Sequence, residues 1–223
     1  MMNLGLDQPQ ADIKSSFADT LRAILARAKT DEGLVVTGIG SRETPDDILK
    51  LMTRIGRRIE ELGGILRSGG AGGADLAFEA GWRNAAACEI FHPWHGFKPK
   101  IGSKEIDVTR ALGRKRPTQG VGSPIVMSGE ILERAKEIAE ATHPAWEKCG
   151  IGARKLHTRN IPQILGANLN RVTDLVICWT VDGRASGGTG QAMRLAQRKG
   201  AQIVNLKRAE DRQAILEALG LED

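Results

Sequence analysis

The chain of 223 residues contains no tyrosine, only 4% aromatic residues and three cysteines. Cys88, Cys149 and Cys178 lie far apart and are odd in number, which argues against a disulfide framework and against a Cys-x-x-Cys metal site. We interpret them as buried small hydrophobic residues. No apolar run is long and uncharged enough to span a bilayer, and the early residues lack the order of a secretion signal. The sequence therefore predicts a cytoplasmic protein that does not enter a membrane.

Two common nucleotide-binding motifs are incomplete. Gly38-Ile39-Gly40 continues into Ser41-Arg42-Glu43, so the third glycine of the dinucleotide-binding fingerprint is missing. No Gly-Lys-Ser or Gly-Lys-Thr triplet is present, which excludes a Walker loop. Ordinary NAD- and ATP-dependent enzymes are therefore poor candidates, and we expect no cofactor. The stretch from His92 to His95 has no acidic or cysteine ligand nearby, so we expect no metal site either.

Glycine-rich turns are the strongest positive signal. The chain has 27 glycines, and two dense loops lie between an apolar run and a helical pattern: Ser68-Gly69-Gly70-Ala71-Gly72-Gly73-Ala74-Asp75 and Ser186-Gly187-Gly188-Thr189-Gly190. A third turn, Thr37-Gly38-Ile39-Gly40-Ser41-Arg42, follows the first apolar run. Such turns let backbone N–H groups approach an anion, and a following helix adds the positive end of its dipole. Together they predict a phosphate pocket.

Apolar runs and helical patterns alternate along the chain and predict its fold. We expect short strands at 34–37, 65–67, 89–91, 174–179 and 202–206, with amphipathic helices between them. This alternation predicts a single α/β domain over 1–223, with a Rossmann-like, doubly wound, mainly parallel sheet and helices on both faces. Ligands of such sheets bind where the strand order reverses, and all three glycine turns lie at carboxyl ends of strands. We expect the first and fourth strands to flank that crevice.

Two segments stand apart from this alternation. Residues 1–32 are predicted to form an N-terminal helical extension, and residues 98–171 an insertion of a basic loop and helices, with a helix beginning at Ser128 and another near 161–169. Between Lys98 and Gly122, seven cations against two anions give a local charge of +5, equal to the surplus of the whole chain. Its cluster Arg114, Lys115 and Arg116 is expected either to contact a nucleic-acid backbone or to form a solvated surface.

The order of the loops resembles the Rossmann-like superfamily that contains the DNA-processing protein A family (DprA) and the LOG phosphoribohydrolases. Residues 68–75 resemble the DprA signature Ser-Gly-Leu-Ala-Arg-Gly-Ile-Asp, with Gly40-Ser41-Arg42 at the matching distance before it. Residues 186–190 take the place of that family's second Ser-Gly-rich loop. The resemblance covers about residues 34–93 and 172–206. It implies the Rossmann-like fold, a homodimer and, for DprA, binding of single-stranded DNA.

The chain departs from both families at functional positions. Gly72 stands where DprA proteins carry an arginine that contacts nucleic-acid phosphate. In LOG enzymes the motif Pro-Gly-Gly-x-Gly-Thr-x-x-Glu ends in a catalytic glutamate, and Arg194 takes that place here. The sequence therefore favours a binding protein over a LOG-type hydrolase and identifies no catalytic residue.

The expected ligand-binding residues come from the three turns. We expect the backbone amides of the two loops to hold phosphate and Arg42 to neutralise it. Asp75 is expected either to bind a ribose hydroxyl or to tie down its loop, and Asp182 either to meet a ribose or base or to bond within its own turn. The full set is Gly38, Gly40, Ser41, Arg42, Ser68, Gly69, Gly70, Ala71, Gly72, Gly73, Asp75, Trp179, Asp182, Ser186, Gly187, Gly188, Thr189 and Gly190.

Further residues are expected either to read a base or to serve the fold. Trp94 and Phe97 follow a strand end and suit stacking on a base or packing of a loop. Trp179 is expected to offer a second apolar face. The group His157, Arg159 and Asn160 suits a lid over the site or the capped start of a helix. We expect a phosphate-binding protein whose specific function is single-stranded nucleic-acid binding of the DprA type; the alternative is binding or cleavage of a small nucleotide or nucleotide-derived signal.

Overall fold

Six parallel strands form the centre of the molecule, in the order β6-β3-β2-β1-β7-β8. They are seen in a computed structural model that describes the backbone of residues 9–223 and the side chains from residue 17 onward. A separate antiparallel pair, β4 and β5, lies between β3 and β6 in the sequence. The strands are β1 Val35–Gly38, β2 Ile65–Ser68, β3 Cys88–His92, β4 Lys100–Ile101, β5 Lys104–Glu105, β6 Ile125–Val126, β7 Leu175–Cys178 and β8 Gln202–Asn205.

Helices cover both faces of this sheet, and each face has its own apolar core. One core joins α1, α2, α3 and α8 to the sheet, and the other joins α5, α6 and α7. The helices are α1 Pro9–Leu25, α2 Asp46–Glu61, α3 Ala74–Gly81, α4 Val108–Leu112, α5 Gly129–Thr142, α6 Ile151–Leu165, α7 Gly187–Arg198 and α8 Ala209–Leu219. The predicted α/β, doubly wound, Rossmann-like architecture is confirmed.

The predicted strands agree closely with the observed ones. Each of the five lies within one residue of its expected ends, and the first and fourth, β1 and β7, are neighbours as expected. Thr37 pairs with Val176 and Gly38 with Ile177, so the turns after β1 and β7 leave the sheet side by side. Because the chain continues from β1 to one side and from β7 to the other, a crevice opens between these turns.

The insertion is where the sequence reading was least accurate. Helix α6 begins at Ile151, ten residues before the expected helix near 161–169, and it contains Pro162. Its second half is buried on all sides, polar residues included, so no apolar stripe marks it in the sequence. The group His157, Arg159 and Asn160 therefore lies inside a helix and not at the start of one. Strands β4, β5 and β6 have two residues each, too short to show a period.

Two helices begin close to the glycine turns. Helix α2 begins at Asp46 after Pro45, and the Thr44 hydroxyl before it donates to the Ser41 carbonyl at 2.8 Å. Helix α7 begins at Gly187, inside the second glycine loop. The loop and the helix are thus one element, which places the glycines in its first turn.

Helix α1 belongs to the core of the chain. Ala18, Leu21 and Leu25 are buried in the core that α8 shares, and Arg22 pairs with Glu217 of α8 at 2.6 Å. The apolar residues of this helix that the structure describes are therefore packed within the chain. The part of the predicted extension before residue 9 lies outside the described residues. No helix in the described part of the chain has the length and apolar character needed to cross a membrane.

Replacing Phe78 by alanine tests the core beneath the crevice. Phe78 is 1% exposed and packs so closely on β1 that a Cβ at Gly38 would lie 2.5 Å from its ring. We expect Phe78→Ala to lower the free energy of unfolding by about 3–5 kcal/mol, measured by urea denaturation, because it leaves a cavity. The control Val121→Ala, at a side chain that is 76% exposed, should change it by less than about 0.5 kcal/mol. Equal losses would contradict this packing.

A cleft between two strand ends as the candidate functional site

A cleft of about 400 Å³ opens beyond the carboxyl ends of β1 and β7, between the first turn of α7 and the side of α6. It gathers residues from all three glycine turns and from the insertion. Of the residues expected at the site, its lining includes Gly40, Ser41, Arg42, Ala71, Asp75, His157, Arg159, Asn160, Ser186, Gly187, Gly188 and Thr189. The remaining members of the expected set lie elsewhere.

Several of those others serve the packing of the sheet edge. Gly38 leaves room for Phe78, as described above, and the Ser68 hydroxyl donates to the Gly38 carbonyl at 2.7 Å. A Cβ on Gly72 would lie 2.7 Å from the Lys100 carbonyl, and one on Gly73 would lie 2.7 Å from the Ser41 carbonyl. These positions need small residues because neighbouring backbone comes close, so ligand contact is not what explains them.

Further expected residues are held within their own turns or in the core. Trp179 is 5% exposed and belongs to the core, with the Lys207 ammonium 5.8 Å from its ring. Asp182 accepts bonds from the Ser186 hydroxyl and the Arg184 amide, which hold the pKa of its carboxyl below the usual value. The Gly190 amide donates to the Ser186 carbonyl at 2.9 Å. The backbone φ angle of Gly70 is +60°, a conformation that residues with a side chain rarely adopt.

The carboxylate of Asp75 occupies the first glycine loop. It is 4% exposed and accepts a bond from the Ala71 amide at 3.3 Å, with further backbone bonds from Gly40 and Gly69. These amides belong to the group expected to hold a phosphate. In the structure they are directed at a side chain of the same loop, so Asp75 ties the loop down and fills the place that an anion would take.

Arg159 of α6 closes the other side of this loop. Its Nη1 lies 3.4 Å from Asp75 Oδ2, and a Cβ on Gly69 would lie 1.3 Å from that nitrogen. Burial raises the pKa of Asp75 and lowers the pKa of Arg159, and the opposite charge of each partner counters both shifts. Only a glycine at position 69 lets the guanidinium lie here, so α6 and the first loop are fitted to one another.

Two residues that line the cleft each carry a buried donor without an acceptor among the described residues. Arg159 is 7% exposed and its Nε has no hydrogen-bond partner, and Gln163, 1% exposed, has none for its Nε2. Both residues line the cleft. A buried donor without an acceptor costs about 1–3 kcal/mol, and native proteins contain few of them. Each of these two residues thus keeps one side-chain donor that no group in the described part of the chain satisfies.

The first turn of α7 adds free backbone donors. The amides of Gly187, Gly188 and Thr189 precede the first paired amide of the helix, that of Gly190, and find no acceptor among the described residues. A Cβ on Gly187 or Gly188 would meet nothing within 4 Å, so the space in front of them is open. This helix start combines three donors with the positive end of the dipole.

Arg42 stands at the mouth of the same cleft. Its side chain is exposed and has neither an ion pair nor a hydrogen bond within the described part of the chain. Its positive charge helps to lower the pKa of Arg159, and both residues line the cleft. The cleft therefore combines two guanidinium groups with the free amides of α7.

A network that sequence analysis missed fixes the wall formed by α6. Gln191, 0% exposed, accepts bonds at Oε1 from Asn160 Nδ2 at 3.2 Å and from His157 Nδ1 at 3.0 Å. Asn160 Nδ2 also donates to the Gly188 carbonyl at 3.1 Å, joining α6 to the first turn of α7. Burial lowers the pKa of His157. Gln163 and Gln191 carry no motif, and only the fold shows their importance.

The aromatic residues that follow β3 and the basic residues 114–116 lie away from this cleft. Trp94 and Phe97 stack edge to face at 5.4 Å, and Trp94 lines a second cavity of about 490 Å³ beside the ends of β3 and β6. Arg116 forms an ion pair with buried Glu79, and Arg114 donates to the Trp82 carbonyl at 3.1 Å. Both arginines thus anchor their loop to α3 and its end, while Lys115 is exposed.

The three cysteines differ in their surroundings. Cys88 and Cys178 are buried, as expected, and burial raises the pKa of each thiol to about 12. Cys149 is only half-buried and lies beside His143, so the expectation of a buried hydrophobic residue is wrong there.

The chain matches no protein-family model, no curated protein and no solved structure.

The buried side chain of His92, which lines the second cavity, leads us to expect a pH dependence of stability. Burial, with Arg116 and Arg159, lowers the pKa of His92 from 6.5 to about 3. Because the unfolded chain takes up a proton that the folded chain does not, stability is complete above pH 6.5 and falls as the pH drops toward 3. From about pH 7 to about pH 5, wild type should lose about 2 kcal/mol more than His92→Gln in urea denaturation. Parallel losses would contradict this assignment.

Proposed function

We propose that this chain binds a small nucleotide or nucleotide-derived anion in the cleft between β1 and β7. The observation that carries the proposal is the set of donors that lack acceptors there: Arg159 Nε and Gln163 Nε2 on the floor, and the amides of residues 187–189 at the rim. They belong to different elements and line one space. A ligand rich in acceptor oxygens satisfies them together.

The phosphate is best placed at the first turn of α7. Three amides without acceptors among the described residues and the helix dipole favour a negative charge there, and Arg42 supplies a guanidinium that has no carboxylate partner in the same part of the chain. The first glycine loop has a different task in this proposal. The carboxylate of Asp75 already accepts hydrogen bonds from the amides of that loop, so the phosphate does not enter it. The loop instead forms part of the cleft floor and holds Arg159 through Asp75.

The remainder of the cleft suits a ribose and a base. Ile39, Leu156 and Val181 give the cleft apolar walls. Gln163 and Asn160 add side-chain amide groups for hydrogen bonds with oxygen and nitrogen atoms of the ligand. A volume of about 400 Å³ lies in the range of small-molecule sites. Helix α6 closes one side, which fits a compact ligand better than a continuous strand.

Single-stranded DNA binding, implied by the resemblance to DprA, has less support from the contacts. Arg114 and Arg116 are engaged in holding their own loop, and the loop that carries the DprA signature directs its amides inward. LOG-type hydrolysis is not proposed. Arg194, at the position of the LOG glutamate, donates to the Ala185 carbonyl at 2.8 Å and holds the turn before α7.

Replacing Arg42 by glutamine tests the phosphate site without disturbing the core. Mononucleotides and a single-stranded oligothymidylate are titrated by calorimetry at about 50 mM and about 200 mM salt. We expect one class of mononucleotide to bind wild type, and Arg42→Gln to weaken it about 10- to 100-fold through loss of a charge-assisted hydrogen bond. Arg134→Gln, at an exposed arginine of α5 outside the cleft, serves as the matched control.

Two results would contradict the proposal. One is equal mononucleotide affinity in wild type and Arg42→Gln. The other is binding of the oligonucleotide alone with a steep salt dependence, which would favour the DprA-type function.

Gly188→Val tests the open space at the start of α7. A Cβ at position 188 meets nothing within 4 Å in the free protein, so we expect the thermal unfolding midpoint to stay within a few degrees of wild type. The valine occupies the room in front of the free amides, and mononucleotide binding should be lost. Normal binding by this variant would place the phosphate elsewhere. Gly70→Val is unsuited to this test because the backbone φ of +60° at Gly70 is strained for valine, so the substitution is expected to destabilise the fold itself.

A further inference from the structure

Three potential metal ligands meet where α5 ends and α6 passes by. His143 follows α5, Cys149 follows the short turn Trp146–Lys148, and His157 lies in the middle of α6. Their ligand atoms all lie within 4.8 Å of one another. Five and seven residues separate them along the chain, a spacing without a recognisable metal motif.

The distances in this cluster are close to those of a metal centre. Cys149 Sγ lies 3.8 Å from His143 Nδ1 and 3.9 Å from His143 Nε2, and the two imidazole centroids are 4.2 Å apart. Ligands at ordinary zinc–sulfur and zinc–nitrogen lengths stand about 3.4–3.6 Å apart in a tetrahedron. Small side-chain shifts of up to roughly an ångström therefore bring all three within range of a single ion.

The hydrogen bonds of Gln191 determine which nitrogen of His157 is free. Gln191 Nε2 donates to the Ala139 carbonyl at 3.3 Å, so its Oε1 is the atom that faces His157 Nδ1. Since that oxygen only accepts, Nδ1 carries the proton and Nε2 keeps its lone pair. No hydrogen-bond partner of Nε2 is found in the described part of the chain. An imidazole oriented by a bond at its other nitrogen is the arrangement that metal-binding histidines have.

We propose that His143, Cys149 and His157 bind a zinc ion, with water as the fourth ligand. Two imidazoles and a thiolate match the preference of Zn²⁺ for nitrogen and sulfur, and binding releases the proton of the Cys149 thiol to solvent. The ion ties the end of α5 to α6 immediately before Arg159 and Asn160. It thus positions the wall of the cleft, yet its presence does not require that a nucleotide be the ligand.

Cobalt substitution tests this site directly. The full chain, freed of metal by a chelator, is titrated with Co²⁺, whose tetrahedral thiolate complexes absorb in the visible and near-ultraviolet. We expect one cobalt per chain, a thiolate-to-cobalt absorption band, and displacement of this band by Zn²⁺. Cys149→Ser should remove the band, and both it and His143→Gln should weaken zinc binding at least about 10-fold, measured against a chromophoric chelator.

A stability measurement separates metal binding from misfolding. Zinc should raise the unfolding midpoint of wild type but not of Cys149→Ser. His95→Gln, at an exposed histidine outside the cluster, should behave as wild type in every assay. Absence of the thiolate band in wild type, or its persistence in Cys149→Ser, would overturn the zinc site. These results are independent of nucleotide binding, because no nucleotide is added.

Discussion

The contact between Asp75 and Arg159 is the constraint on which the rest of the site depends. The carboxylate of Asp75 accepts hydrogen bonds from the amides of the first glycine loop. The guanidinium of Arg159 lies so close to Gly69 that any side chain at position 69 would collide with it. A carboxylate of α3 thereby joins the sheet edge to a helix of the insertion. Breaking such a buried pair costs about 3–5 kcal/mol because one charge is left without its partner. In this arrangement Arg159 Nε has no hydrogen-bond acceptor among the described residues. The pair therefore stabilises the fold and also leaves an unsatisfied donor on a residue of the cleft.

The glycines of the chain perform two different tasks at this edge. Gly38 and Gly69 are required by neighbours that approach to distances no Cβ tolerates. Gly187 and Gly188 have open space before them and unpaired amides. Only the second kind is suited to receive a ligand. Equally dense glycine loops in a sequence can therefore be a packing device or a binding device, and the difference lies in where the amides point.

Much of the fold could be predicted from the sequence, but only part of the site. Strands such as 65–67 are short apolar runs bounded by glycine, and their order places the turns at one edge. The turn after β1 and the loop before α7 were expected at the site and line the cleft. Helix α6 was misplaced because Thr158, Arg159, Asn160 and Gln163 are buried among its apolar residues and interrupt the period. The inward role of Asp75 and the meeting of His143 with Cys149 depend on tertiary contacts with no local signal.

Backbone nuclear magnetic resonance tests the central claim most directly, since the account assigns ligand binding to particular amides. With ¹⁵N-labelled protein and a binding nucleoside monophosphate, the amide resonances of Gly187, Gly188 and Thr189 should shift most, as should that of Arg42. The amides of Gly69 and Ala71, held close to Asp75, should shift little. Large shifts confined to residues 69–73, or to the basic segment from Lys98 to Gly122, would contradict the account.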